Sequence, residues 1–197
     1  MARKFNISYK QLNTVLLLCI IAINVYIIVA PFWPRIEYWW QTNHTARQHE
    51  LIQAVQHPSV QHSQPNSLII PAMLLQEPTL EGPKSNSFSL LKDGIWRWPD
   101  SSTPDKGGNT VFLAHRFSYT GPHGAFYYLD KLKVGDSIGL VWNNKTYTYR
   151  VASTTTVPPT AVYIQDNTTD SRITLFTCTP LWNPVNRLVV VAELEQN

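Results

Sequence analysis

Arg172 to Leu194 reads RITLFTCTPLWNPVNRLVVVAEL. Two runs of strand length, RITLFT and RLVVVAEL, flank a short link that carries two prolines. β-branched and aromatic residues dominate both runs, the composition that packs well on a pleated surface. Cys178 ends the first run and Arg187 opens the second. If the two strands are neighbours, their connection can bring the guanidinium near the sulfur. A sheet holds such edge residues rigidly while the loop leaves them accessible, which is where binding and catalytic groups concentrate.

The same texture extends towards the N-terminus. SLII (Ser67–Ile70), TVFLAH (Thr110–His115), DSIGLVW (Asp136–Trp142) and YTYRVAS (Tyr147–Ser153) are further strand-like runs. GPKSNS, PDSSTPDKGG, SYTGPHG and WNNKT separate them with turn residues. Only AFYYLDKL (Ala125–Leu132) reads as a short helical turn. Short strands at this spacing predict an all-β barrel or sandwich of about 130 residues, spanning 67–197.

Upstream the chain changes character. Val15 to Phe32 carries no charge, and at about 1.5 Å per residue it spans roughly 27 Å, close to a hydrocarbon core of about 30 Å. Trp33, Tyr38, Trp39 and Trp40 follow, as an interfacial aromatic belt would, and Arg3, Lys4 and Lys10 precede it without an acidic residue. These signals predict a cytoplasmic tail (1–13), a membrane anchor (14–33), a stalk (34–66) and an extracellular domain. A signal peptide begins the same way, but PFWPR stands where small cleavage-site residues belong. A buried core helix would show a polar face, and this run has none.

Placing the anchor redistributes the charge. The net +3 sits on the short tail, because thirteen basic residues face thirteen acidic ones beyond position 34. A neutral external part gives no footprint for nucleic acid. In the stalk, Leu51, Ile52 and Val55 fall on one side of a helical stretch. His44, His49, His57 and His62 do not share a helix face, so solvated stalk fits them better than a metal site.

The chain has two cysteines. Cys19 lies in the span, where it behaves as a small apolar side chain. Cys178 is therefore the lone external thiol: buried and inert, used in chemistry, or paired with another chain. His115 also ends a strand-like run. Cys, His and Arg at strand ends make a plausible thiol acyl-transfer set. His123, in the TGPHGA loop, is the rival base, and His115 is preferred because a strand holds it.

TLFTC (Thr174–Cys178) resembles the TLxTC signature of sortases, the membrane-anchored cysteine transpeptidases of bacterial surfaces. AHR (Ala114–Arg116) resembles the family's histidine motif, in which Gly usually precedes His; Ala114 is the departure. Arg187 matches the family arginine. NSLIIPAMLLQEPTLEG, GNTVFLAHRF and GAFYYLDKLKVGDSIGLVW extend the likeness across the external domain. The resemblance implies a closed sortase-like β-barrel with short helical turns. It implies His115, Cys178 and Arg187 as catalytic residues and Thr177 and Ala114 as substrate contacts. The sequence points to no cofactor and no metal site; it has no convincing carboxylate cluster and leaves a calcium requirement open. The implied partners are a sorting-signal peptide of the LPxTG kind and an amine acceptor, a peptidoglycan precursor or pilin lysine. Residue order separates this pattern from papain-like amidases, where Cys precedes His, and the S-x-G-C motif of L,D-transpeptidases is missing. An anchored, non-catalytic binding module with a structural Cys178 is the alternative. The N-x-T sequons at Asn43, Asn144 and Asn167 matter only in a glycosylating host.

Overall fold

The computed structural model describes residues 9–44, 46–56, 65–117 and 123–195. They divide into two compact units, with the boundary between Thr45 and Ala46. His57 and His62 of the expected stalk, and Ser118–Pro122 of the SYTGPHG turn, lie outside the described residues.

The first unit is helical. α1 (Tyr9–Val29) leads through a 3₁₀ turn (Ala30–Phe32) into α2 (Trp33–His44). Pro31 and Pro34 lack the amide donor that would continue the helical ladder, so the break falls there. All residues of α1 are exposed. Two of its polar side chains turn back onto the helix: Asn24 Nδ2 donates to Ile20 O at 2.7 Å, and Thr14 Oγ1 donates to Lys10 O at 2.9 Å. That pattern satisfies polar groups without water. At 21 residues, α1 is long and apolar enough to cross a bilayer.

The second unit begins with α3 (Ala46–Gln56) and continues as eight strands. These are β1 (Ser67–Ile70), β2 (Leu75–Leu80), β3 (Ile95–Arg97), β4 (Asn109–Leu113), β5 (Ser137–Trp142), β6 (Lys145–Val157), β7 (Arg172–Thr179) and β8 (Asn186–Leu194). They close a barrel in the order β1-β2-β3-β4-β7-β8-β6-β5. β2 with β3 and β4 with β7 are parallel; the other neighbours run antiparallel. The all-β barrel expected from the sequence is the fold. The strand-like runs occupy β1, β4, β5, β6, β7 and β8, whereas β3 and the short helix α4 (Ser87–Asp93) had no sequence signal. IWR is too short to show alternation, and SFSLLKD buries none of its side chains.

Side-chain alternation sorts the strands into two faces. Ile173 and Leu175 of β7 join Leu188, Val190 and Ala192 of β8 in the barrel interior. Phe176, Val189 and Val111 form a separate buried cluster on the opposite face, with Ile164, Val157 and Leu113 packed against it. α3 packs on the barrel exterior. Leu51 and Val55, 0% and 1% exposed, bury against Ile69 and Val141. Thr148 Oγ1 donates to Val55 O at 3.2 Å. A Cβ on Gly139 would lie 2.9 Å from Val55 Cγ2, so glycine lets the helix lie close. Residues 46–56, assigned to the stalk from sequence, thus share a compact unit with the barrel.

Candidate active site

β7 lies between β4 and β8, and the registers on its two sides assemble the site. On the β8 side, Cys178 is the direct partner of Arg187. Directly opposed residues of an antiparallel pair share a face with Cβ atoms about 5 Å apart. On the β4 side the parallel register ends at Leu113 opposite Phe176. Two steps further along each chain are His115 and Cys178. Val111 and Leu113 pack on the outer cluster with Phe176 and Val189. By alternation His115, Cys178 and Arg187 continue that outer face at one end of three adjacent strands.

Two side-chain hydrogen bonds carry the alignment past the last backbone pair. Thr177 Oγ1 donates to Ala114 O at 2.8 Å. Arg116 Nη1 donates to Thr179 Oγ1 at 2.8 Å. The residues flanking His115 are thereby joined to the residues flanking Cys178. Thr177 and Ala114, expected as substrate contacts, are buried at 2% and 5% exposure and bonded to each other.

The loop after His115 is held from a third direction. Phe126 N donates to His115 O at 3.1 Å, and Gly124 N donates to Arg116 O at 3.3 Å. A Cβ on Gly124 would fall 2.0 Å from His115 O, so only glycine permits this crossing. Arg116 is fully engaged. Its Nη2 pairs with Asp130 Oδ2 at 2.9 Å and its Nε donates to Tyr127 O at 3.4 Å. Arg187 differs: among the described residues it forms no ion pair, and its Nη1 donates to Asn186 O at 3.2 Å. Its charge is available to a ligand. Cys178 and His115 are both partly exposed. The free Cys19 lies on α1, in the other unit.

Two surfaces border these residues. Trp182 of the β7–β8 connection packs on Phe117 with ring centroids 5.0 Å apart and planes tilted by 57°. Elsewhere a groove of about 550 Å³ is lined by His115, His123, Tyr127, Tyr128, Glu77 and Asp93, among others. His123, the rival base, stands edge-on to Tyr127 at 4.1 Å between centroids. Glu77 is exposed on β2, and partial desolvation at the groove moves its carboxyl upward from the ordinary value. Arg116 and Gly124 were not singled out by sequence reasoning, although Arg116 is the third residue of AHR. Gly124 reads in the sequence as an ordinary turn glycine.

A nucleophilic sulfur, an imidazole and an uncommitted guanidinium, held on one sheet edge, suit acyl transfer through a thioester. A sortase domain model matches residues 68–195. The chain belongs to the sortase family. Over 66 residues, 34% of its length, this sortase is 44% identical to sortase A of Listeria monocytogenes. The match spans 30% of that relative's length. The crystal structure of Listeria monocytogenes sortase A superposes with a TM-score of 0.55 at 30% identity, covering 66% of this chain and 86% of that one. Sortase C1 from Streptococcus agalactiae superposes with a TM-score of 0.59 at 26% identity, covering 78% of each chain.

Proposed function

We propose that this sortase is a cysteine transpeptidase, with Cys178 as nucleophile, His115 as acid and base, and Arg187 as oxyanion or carbonyl ligand. The observation that carries the reading is the register that sets Cys178 opposite Arg187, with the end of β4 tied to the end of β7. The partial exposure of Cys178 supports use of the thiol over an inert structural role.

The substrate is a C-terminal sorting signal of the LPxTG kind. The Cys178 thiolate attacks the Thr carbonyl, and charge develops on its oxygen. Arg187 donates to that oxygen, and its charge persists at any physiological pH. The His115 imidazolium protonates the departing glycine amine as the C–N bond breaks. A second amine then resolves the thioester, joining the surface protein to a peptidoglycan precursor or to a pilin lysine. Thr177 and Ala114 hold the floor of the site through their mutual hydrogen bond. α1 anchors the enzyme as a single pass with the N-terminus in the cytoplasm, beside substrates that are themselves leaving the membrane.

The test uses the full chain in detergent with a library of LPxTG-like peptides, reading acyl adducts by mass spectrometry. A thioester on Cys178 is expected, lost in Cys178→Ala and nearly lost in His115→Ala. Full peptide cleavage by Cys178→Ala would sink the nucleophile assignment, and wild-type cleavage by His115→Ala with loss in His123→Ala would transfer the base to His123.

A further inference from the structure

By alternation the outer-face row of β4 opens at Asn109 and leads through Val111 and Leu113 to His115. The neighbouring row of β7 leads from Thr174 through Phe176 to Cys178. Reactive groups stand at one end of these rows, and a buried polar pair stands at the other. Asn109 and Thr174 are 3% and 2% exposed. Thr174 Oγ1 donates to Asn109 Oδ1 at 2.8 Å, which turns the amide nitrogen towards other acceptors. That nitrogen donates to Ile164 O at 3.2 Å and to Asp166 O at 3.0 Å. Asn109 N adds a bond to Asn167 Oδ1 at 3.0 Å. Every polar atom of the side chain is bonded, and a fully satisfied buried network of this kind is rigid.

These bonds hold the connection between β6 and β7. Its 3₁₀ turn (Val162–Gln165) rests Ile164 on the outer cluster of Val111, Phe176 and Val189. Phe176 and Val189 stand two residues from Cys178 and Arg187 on the same face, about 7 Å along the strands. Val162 and Tyr163 of the turn are large, apolar and exposed. Gly108 shows how closely the connection is keyed to β4, since a Cβ there would lie 2.2 Å from Asn167 Oδ1. A surface connection is ordinarily mobile, and a ligand that binds one must order it. Here the order is built in.

We propose that Asn109 is a positioning residue for the peptide substrate: its amide holds the Val162–Gln165 turn as a preformed wall beside the thiol. This rests on the acyl-transfer reading of the site. Asn109 stands at the far end of its row from His115 and acts through the turn. Its loss therefore falls on peptide binding, before any bond changes, and leaves the reactivity of Cys178 intact.

The experiment uses the full chain in detergent and follows acyl-Cys178 formation at varied concentrations of an LPxTG-like peptide. Alkylation by iodoacetamide, which meets the thiol without the turn, is measured alongside. Asn109→Asp keeps the size and the acceptor for Thr174 but sets a carboxylate against two carbonyl oxygens. It should raise peptide KM about tenfold, with saturated acylation and alkylation within about twofold of wild type. Thr174→Val should raise KM about threefold, and Thr174→Ser, which keeps the hydroxyl, should restore it. Asn167→Ala removes an exposed side chain and should also raise KM about threefold, so the outcome does not depend on Asn109→Asp folding. A peptide KM that ignores these substitutions would overturn the positioning role, as would losses of alkylation and saturated acylation that match the rise in KM. Absence of any acyl-enzyme in a wild-type chain that alkylates normally would instead defeat the thioester reading.

Discussion

Arg116, at the end of the β4 segment, donates to Thr179 Oγ1 at 2.8 Å on the far side of Cys178 from Thr177. Thr177 in turn donates to Ala114 O at 2.8 Å. The two bonds are related by two residues on each strand, so they bracket the His115–Cys178 level. Backbone pairing of β4 with β7 ends at Leu113–Phe176. Beyond it, these side chains replace the ladder and fix imidazole and thiol at one height. Asp130 holds Arg116 from behind at 2.9 Å.

Arg116→Ala should therefore slow acylation more than it weakens substrate binding. Loss of the clamp costs about 1–3 kcal/mol of stability through the unpaired groups left behind. A displacement of about 1 Å at the imidazole lowers the acylation rate roughly 10- to 100-fold. Single-turnover kinetics should show this fall with peptide KM near wild type, and Thr179→Val should reproduce part of it. An unchanged acylation rate beside a lowered Tm would reduce Arg116 to a structural role.

Gly124→Ala tests the third support of His115. The added methyl meets His115 O at 2.0 Å and His115 C at 2.4 Å, both backbone atoms that cannot swing aside. Overpacking of this kind costs about 1–3 kcal/mol. The relaxation has to move the His115 peptide or the 123–126 turn, so acylation should fall together with Tm. A variant with wild-type Tm and rate would show that this crossing is softer than its geometry.

The sequence revealed the strands and the chemistry but not the alignment. Runs such as RLVVVAEL and DSIGLVW announce themselves because β-branched and aromatic residues fill them. Cys178, His115 and Arg187 stood at run ends, and whether those ends meet depends on register. Register comes from pairings between residues far apart: Thr177 with Ala114 across 63 positions, Arg116 with Thr179 across another 63. Nothing local encodes them. The same reason hid the place of α3. Leu51 and Val55 declared an apolar side, while their partners Ile69 and Val141 lie in β1 and β5. Propensity alone reads Thr177 as a strand residue and the resemblance implies a substrate contact there; its hydroxyl is buried and donates to Ala114 O, a pairing with no local signal.

Glu77 makes a prediction about pH with a defined sign. Glu77 is exposed on β2, and the partial desolvation of its carboxyl raises its folded-state pKa above that of the unfolded chain, a small effect screened by solvent. The folded state therefore resists ionisation, and stability is lost as pH climbs through the carboxylate range. At acid pH both states hold the proton and the penalty is absent. Glu77→Gln should raise Tm at neutral pH, with the gain fading below about pH 4. Melting curves across that window check it; an equal gain at both ends would point to shape and not charge.

Leu51→Ala asks whether α3 is part of the folded unit's stability. Leu51 is fully buried and, with Val55, sits against Ile69 and Val141 on the outside of β1 and β5. Truncating a fully buried leucine costs about 2–5 kcal/mol where the site cannot collapse. Gly139 already brings helix and sheet into contact, with Val55 Cγ2 2.9 Å from where its Cβ would be, so little room remains for collapse. The barrel should then unfold at clearly lower temperature or denaturant in Leu51→Ala, in one transition with α3. Ala54→Ser, at a half-buried position beside the same cluster, should move the transition far less. A Leu51→Ala chain that melts like wild type would mean that α3 rests on the barrel without stabilising it. Arg47 would then lose its fixed place at the groove mouth, because α3 is the element that carries it there.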